Sequence, residues 1–169
     1  MDKTILIEDI INQLQRQRQS SIAAADVAKE TATHSENVAE NRYDTLGLEA
    51  SYLAHGQSLR TKETEASIES FKTLGKNLSR DLLNSVSTNL DIRSSTLAQI
   101  GSLVQIEDPA GQHKWYFLAA RAGGLIIHSQ NREVFVLTPQ APMGKALMGS
   151  EVGDEINLNG YAAEVVEVT

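Results

Sequence analysis

The chain has 169 residues, 41% of them hydrophobic, a formal net charge of −7 and no cysteine. That length accommodates one or two small domains, and the lack of cysteine removes disulfides, thiol catalysis and Cys-ligated zinc. The acidic balance argues against binding to nucleic-acid backbone or to anionic membranes, since both need clustered Lys and Arg.

The N-terminus, "MDKTILIEDIINQ", has neither the basic region nor the continuous apolar stretch of a signal peptide. No apolar run is long enough to span a bilayer. The expected compartment is the cytoplasm.

Helical periodicity then dominates to about residue 90. Ile7, Ile11, Leu14, Ile22, Ala25 and Ala28 recur at helical spacing. The alanine-rich "IAAADVAKETA" favours helix and lets a partner backbone come close. This predicts one helix from about residue 3 to the mid-thirties, roughly 45–50 Å long.

A second helix follows the stretch 34–47. Tyr52, Leu53, Leu59, Ile68, Phe71, Leu74, Leu78 and Leu82 supply its expected apolar face. Gly75 is expected to weaken or end it, because glycine costs roughly 1 kcal/mol in a helix interior. Two long amphipathic helices joined by a short turn pair most simply as an antiparallel hairpin. On periodicity alone the hairpin reads equally well as a coiled-coil spacer or dimerisation element.

The Ser/Thr-rich segment 86–99 reads as a linker. From residue 100 the period changes to two. "SLVQIED" and "KWYFLAA" are predicted strands around the turn signal "DPAGQ". A Gly-Gly break, a short apolar run and the strand "EVFVLTP" follow. "APMGKALMG" is a short helix with Pro142 near its start and Gly149 at its end. "EINLNGYAAEVVEV" is a last strand pair around Asn159–Gly160. The predicted fold class is α + β: a helical hairpin over 1–85, a linker over 86–99, and a small antiparallel sheet domain with one short helix over 100–169.

The stretch "TPQAPMGKALMGSEVGDEI" resembles the C-terminal domain of the bacterial transcription elongation factors GreA and GreB, the Gre family. Pro142, Gly144, Ala146, Leu147, Gly149, Gly153 and Asp154 stand where that family's loop, "GKALLG" helix and "GDEV" strand place them. "IGSLVQIED" is similar to its first strand, and the order of hairpin, linker and sheet agrees. The family's hairpin tip, "D-x-x-E-N-A-x-Y", is matched best by "NVAENRY", with Glu40, Asn41 and Tyr43 in place apart from one missing residue. In that alignment Asn37 replaces the family's Asp. An alternative alignment makes Glu36 the motif's Glu and puts Thr33 at the Asp position.

The resemblance implies an FKBP-like sheet domain docked on RNA polymerase at the rim of its secondary channel, through Ala141, Pro142, Met143 and Gly144. The hairpin would pass down the channel. Glu40, helped by Glu36, would then hold a transient Mg2+ shared with the polymerase, near the nascent RNA. Asn37, Asn41, Tyr43 and Asp44 would support the tip. The protein would be an accessory factor rather than an enzyme, with no cofactor of its own, no membrane contact and no sequence-specific DNA binding.

The chemistry suits the residues. Magnesium prefers hard oxygens and often takes only one or two protein carboxylates. Paired metals stabilise both the attacking and leaving oxygens of phosphodiester hydrolysis. Glu36 and Glu40, four apart, share a face if helical. Equally, Asn41 suits a helix terminator and Asp44 an N-cap. The expected activity is stimulated cleavage of backtracked transcripts. The alternatives are a non-cleaving channel binder that inhibits or competes with Gre factors, and a coiled-coil adaptor unrelated to polymerase. Prolyl isomerisation would need an aromatic-lined pocket, and fold does not imply function.

Overall fold

The computed structural model describes residues 1–33, 46–88, 97–158 and 161–169. The tip residues Glu36, Asn37, Glu40, Asn41, Tyr43 and Asp44, most of the linker and the Asn159–Gly160 turn lie outside the described residues.

Helix α1 spans Lys3–Thr33 and α2 spans Leu46–Thr88. The Asp2 carboxylate caps α1, accepting the Thr4 N–H at 2.7 Å. Helix α2 does not end at Gly75. It continues for three more turns, and the Ser79 hydroxyl donates to the Gly75 carbonyl at 3.0 Å. Glycine's cost of about 1 kcal/mol is small against the bonding of a long packed helix.

The chain divides into two compact units, Ile11–Glu69 and Met1–Ile10 with Ser70–Thr169. In the first, α1 and α2 run antiparallel, with Arg18 Nε donating to Glu65 Oε1 at 2.7 Å. Their contact positions repeat by sevens. Ser21 and Ala28 are buried on α1, and Ala50 on α2, with half-buried Ala54, Gln57, Thr61 and Thr64 continuing the α2 seam. A strict seven-residue period is the mark of a left-handed coiled coil.

This seam corrects one expectation. Tyr52, Leu53 and Leu59 do not form the buried face of α2; all three are exposed. Small and polar residues occupy the heptad positions, so size alone misplaces the face. From Ile68 to Leu78 the expected stripe holds, with Ile68 and Phe71 buried and Leu74 and Leu78 half-buried.

The second unit is built on a six-stranded sheet in the order β3-β4-β2-β1-β6-β5. Its strands are β1 Leu103–Glu107, β2 His113–Leu118, β3 Ile126–Ser129, β4 Arg132–Leu137, β5 Glu155–Leu158 and β6 Tyr161–Val168. Helix α3, Pro142–Leu147, lies between β4 and β5 in sequence. The sheet is not wholly antiparallel: β2 and β4 pair in parallel, Trp115 beside Val134 and Phe117 beside Val136. The short apolar run before β4 supplies this crossover as edge strand β3. Gln130 and Asn131, at φ 51° and 61°, turn β3 into β4. That left-handed pair is the type I′ geometry of a tight hairpin.

Both faces of the sheet are covered, which is why "KWYFL" reads as a continuous apolar run. On one face Val104, Ile106, Tyr116, Leu118 and Val165 pack with Leu147 of α3. On the other, Leu103, Phe117 and Val136 are fully buried, and Phe117 stacks on Phe71 of α2 with ring centroids 6.3 Å apart. Leu6 and Ile10 of α1 are also completely buried in this unit. The N-terminus is clasped there too: Gln130 Nε2 donates to the Asp2 carbonyl at 2.9 Å, and the Asp2 N–H donates to Gln130 Oε1 at 3.1 Å.

Candidate functional site: the loop before α3

Of the residues singled out in the sequence, the loop entering α3 is the group that the structure brings together. Strand β4 delivers the chain to Thr138. The Ala141 N–H donates back to the Thr138 carbonyl at 3.0 Å, closing a four-residue turn. Pro139 stands second in that turn, where its fixed φ is pre-organised.

Ala141 is extended, at φ −66° and ψ 145°, and caps α3 without a side-chain hydrogen bond. Pro142 follows at the helix start, where a missing N–H costs nothing. Gly144 then packs its α-carbon onto the turn. A β-carbon there would overlap the Thr138 carbonyl oxygen. At the other end, Gly149 adopts φ 82° and donates its N–H to the Ala98 carbonyl at 2.7 Å. Ala98 donates in return to Ser150 at 2.8 Å. The helix is therefore fixed at both ends by backbone bonds rather than by its own length.

The four expected contact residues differ in what they present. Pro142 is exposed and Ala141 half-buried. Met143 turns inward and packs against the sheet core. Gly144 is buried, so its part is to let the loop close. Three exposed residues nearby were not singled out from the sequence: Lys145, Met148 and Val152. The apolar pattern of "GKALMG" fixes Leu147 as the buried position and so leaves Lys145 and Met148 outward.

This surface carries no reactive constellation. Among the described residues, no three of His, Asp and Glu converge closely enough to hold a metal ion. Four rings of the sheet are taken up in packing: Tyr116 against Phe135 at 5.7 Å, Trp115 beneath the Arg132 guanidinium at 4.6 Å, and Phe117 against Phe71. A cavity of about 170 Å³ opens between Phe71, Leu74, Ile100 and Ala119, with Phe71 its one aromatic lining residue. That is not the aromatic-lined pocket that prolyl isomerisation needs. Beside this region the Lys3 ammonium is held below the usual lysine range by burial. Its Nζ lies 3.4 Å from the Gly101 carbonyl oxygen.

No family model matches the chain. Over 153 residues, 90% of this chain and 83% of its relative, it is 29% identical to the transcription inhibitor protein Gfh1 of Thermus thermophilus. Over 154 residues, 90% of this chain and 82% of its relative, it is 27% identical to the protein of that name from Thermus aquaticus. The crystal structure of GreA factor homolog 1 (Gfh1) of Thermus thermophilus aligns over 96% of this chain and 94% of that one, at 24% identity and a TM-score of 0.36. Along nine-tenths of its length the chain is thus similar to the Gfh1 proteins.

Proposed function

We propose that this protein is a cytoplasmic accessory factor that binds RNA polymerase and restrains transcription without promoting transcript cleavage. The observation that carries this reading is the similarity, along nine-tenths of the chain, to proteins named as transcription inhibitors. Docking would use the exposed Pro142 loop at the rim of the secondary channel, with the hairpin inside. The tip sequence supports the non-cleaving form, because Asn37 stands where the Gre pattern has an acid. A neutral amide is a poorer magnesium ligand than a carboxylate.

The match of Glu40, Asn41 and Tyr43 to the family tip keeps transcript cleavage as the second reading. There, Glu40 and Glu36 would share Mg2+ with the polymerase. Stalled, backtracked elongation complexes separate the two. The inhibitory reading expects slower run-off synthesis and RNA of unchanged length, also when a cleavage factor competes. Shortened RNA, lost in the Glu36→Ala/Glu40→Ala double variant, would establish cleavage instead. If core polymerase does not bind the protein, both readings fall and the coiled-coil adaptor stands.

A further inference from the structure

Lys3 holds its amine in surroundings that suit a neutral group. Among the described residues, Nζ has the Gly101 carbonyl oxygen as partner, at 3.4 Å, and no carboxylate pairs with it. The adjacent acid, Asp2, is engaged elsewhere: its carboxylate accepts the Thr4 N–H at 2.7 Å and the Ile5 N–H at 3.5 Å. Lys3 also opens α1, where a cation meets the positive end of the helix dipole. Around it, the charged residues of α2 from Ser70 to Arg80 are Lys72, Lys76 and Arg80, and the β2–β3 connection carries Arg121. From Leu97 to Gln105 the chain has no charge at all. Burial holds the ammonium below the ordinary lysine range, so more of it is free amine at a given pH. Lys3 is nevertheless only half-buried, which leaves the amine within reach of a small reagent.

Room for a substituent lies beside it. A β-carbon on Gly101 would meet Leu74 Cδ1 at 3.1 Å. Leu74 and Ile100, the residue before Gly101, both line the cavity of about 170 Å³, together with Phe71 and Ala119. A water needs only about 10–15 Å³ of such space, so a short apolar acyl chain is easily held. We propose that Lys3 is a site of covalent acylation by small acyl phosphates, with the acyl group received by the cavity beside Gly101. The neutral Nζ attacks the acyl carbon. A C–N bond forms, the bond from that carbon to the phosphate oxygen breaks, inorganic phosphate leaves with the electron pair, and the amine proton passes to water. The product is a neutral amide at a place where a charge is penalised, so modification favours the folded state. Desolvated lysines are the ones that proteins use as nucleophiles. The other lysines are placed differently: Lys29, Lys62, Lys72, Lys76 and Lys145 are exposed, and Lys114 pairs with Asp108 at 3.8 Å. The proposal is independent of the polymerase reading.

The test incubates the folded full-length protein with acetyl phosphate at pH 8, beside the same chain unfolded in guanidinium chloride. Peptide mass spectrometry follows each amine with time. In the folded protein Lys3 is expected to react about threefold or more faster than the mean of the other lysines, because a larger share of it is neutral. In the unfolded chain that preference should vanish. Equal rates in the folded protein overturn the proposal, and so does a preference that survives unfolding, which would trace it to local sequence. A protein carrying acetyl-lysine at position 3, installed during translation, is expected to melt about 2–4 °C above the unmodified protein at pH 8. A lower melting temperature also overturns the proposal, by showing that the cavity does not take the group.

Discussion

Gly144 and Thr138 are in backbone contact: the glycine α-carbon lies against the threonine carbonyl with no room for a methyl group between them. The obstacle is main chain, so it does not yield by rotating a side chain. Gly144→Ala is expected to destabilise by roughly 3 kcal/mol, the upper end of overpacking costs. Gly149→Ala meets open space but must hold φ 82°, and should cost about 1–2 kcal/mol. Thermal unfolding of the two variants checks the order. A milder Gly144 variant would mean that the turn before α3 shifts readily.

The stacked pair Phe71–Phe117 gives a second contrast. Phe71 is 1% exposed, and its loss opens a cavity beneath α2. Phe71→Ala should cost about 3–5 kcal/mol. Tyr52→Ala, on the same helix, should stay within about 0.5 kcal/mol. Urea titration of both variants separates the buried ring from the exposed one.

Gly75 predicts a gain. An added β-carbon would meet Ile7 Cγ2 at 3.5 Å, an ordinary contact, and the backbone is already helical. Gly75→Ala is expected to raise stability by about 0.5–1 kcal/mol. A fall in melting temperature would show that the helices approach more closely here than this geometry allows.

Lys3 predicts a pH dependence. Burial lowers its folded pKa below the ordinary 10.5, so the folded state binds fewer protons than the unfolded chain. Stability must then rise with pH as the group titrates. Below the folded pKa the charged amine is a constant penalty, and the penalty disappears as pH passes 10.5. A Lys3→Met variant should therefore be more stable than wild type at pH 8, with the gap closing toward pH 11. Equal gaps at both pH values, followed by chemical denaturation, would refute the assignment.

Much of this was legible in the residues, and the failures have physical causes. Helix α1 was readable to within a few residues because Ile7, Ile11 and Leu14 keep strict spacing and no glycine intervenes. The face of α2 is hidden from a reading by size, because Ala50, Ala54 and Thr61 carry the seam while Tyr52 and Leu59 carry the hydrophobicity. Strand β3 shows in the sequence only as an apolar run, since its turn uses Gln130 and Asn131 without the usual glycine. The parallel pairing of β2 with β4 is non-local and leaves no local signal. At the candidate site, Pro142 was recognisable from its neighbours. The inward turn of Met143 and the backbone role of Gly144 needed the packing of α3 against the sheet.

The sheet unit draws its interior from two distant parts of the sequence, Met1–Ile10 and Ser70–Thr169. Leu6 and Ile10 thus leave the ribosome roughly 100 residues ahead of Phe117, and synthesis runs at about 5–20 residues per second. For that interval their apolar side chains have no finished core to enter. Closing so long a loop is slow and entropically costly unless something shortens it. The pairing of α1 with α2, which sets Arg18 beside Glu65, does so. The hairpin is then also an assembly jig, returning the early segment to the place where the sheet will form. Variants that loosen the seam should slow refolding of the sheet, although they touch none of its strands.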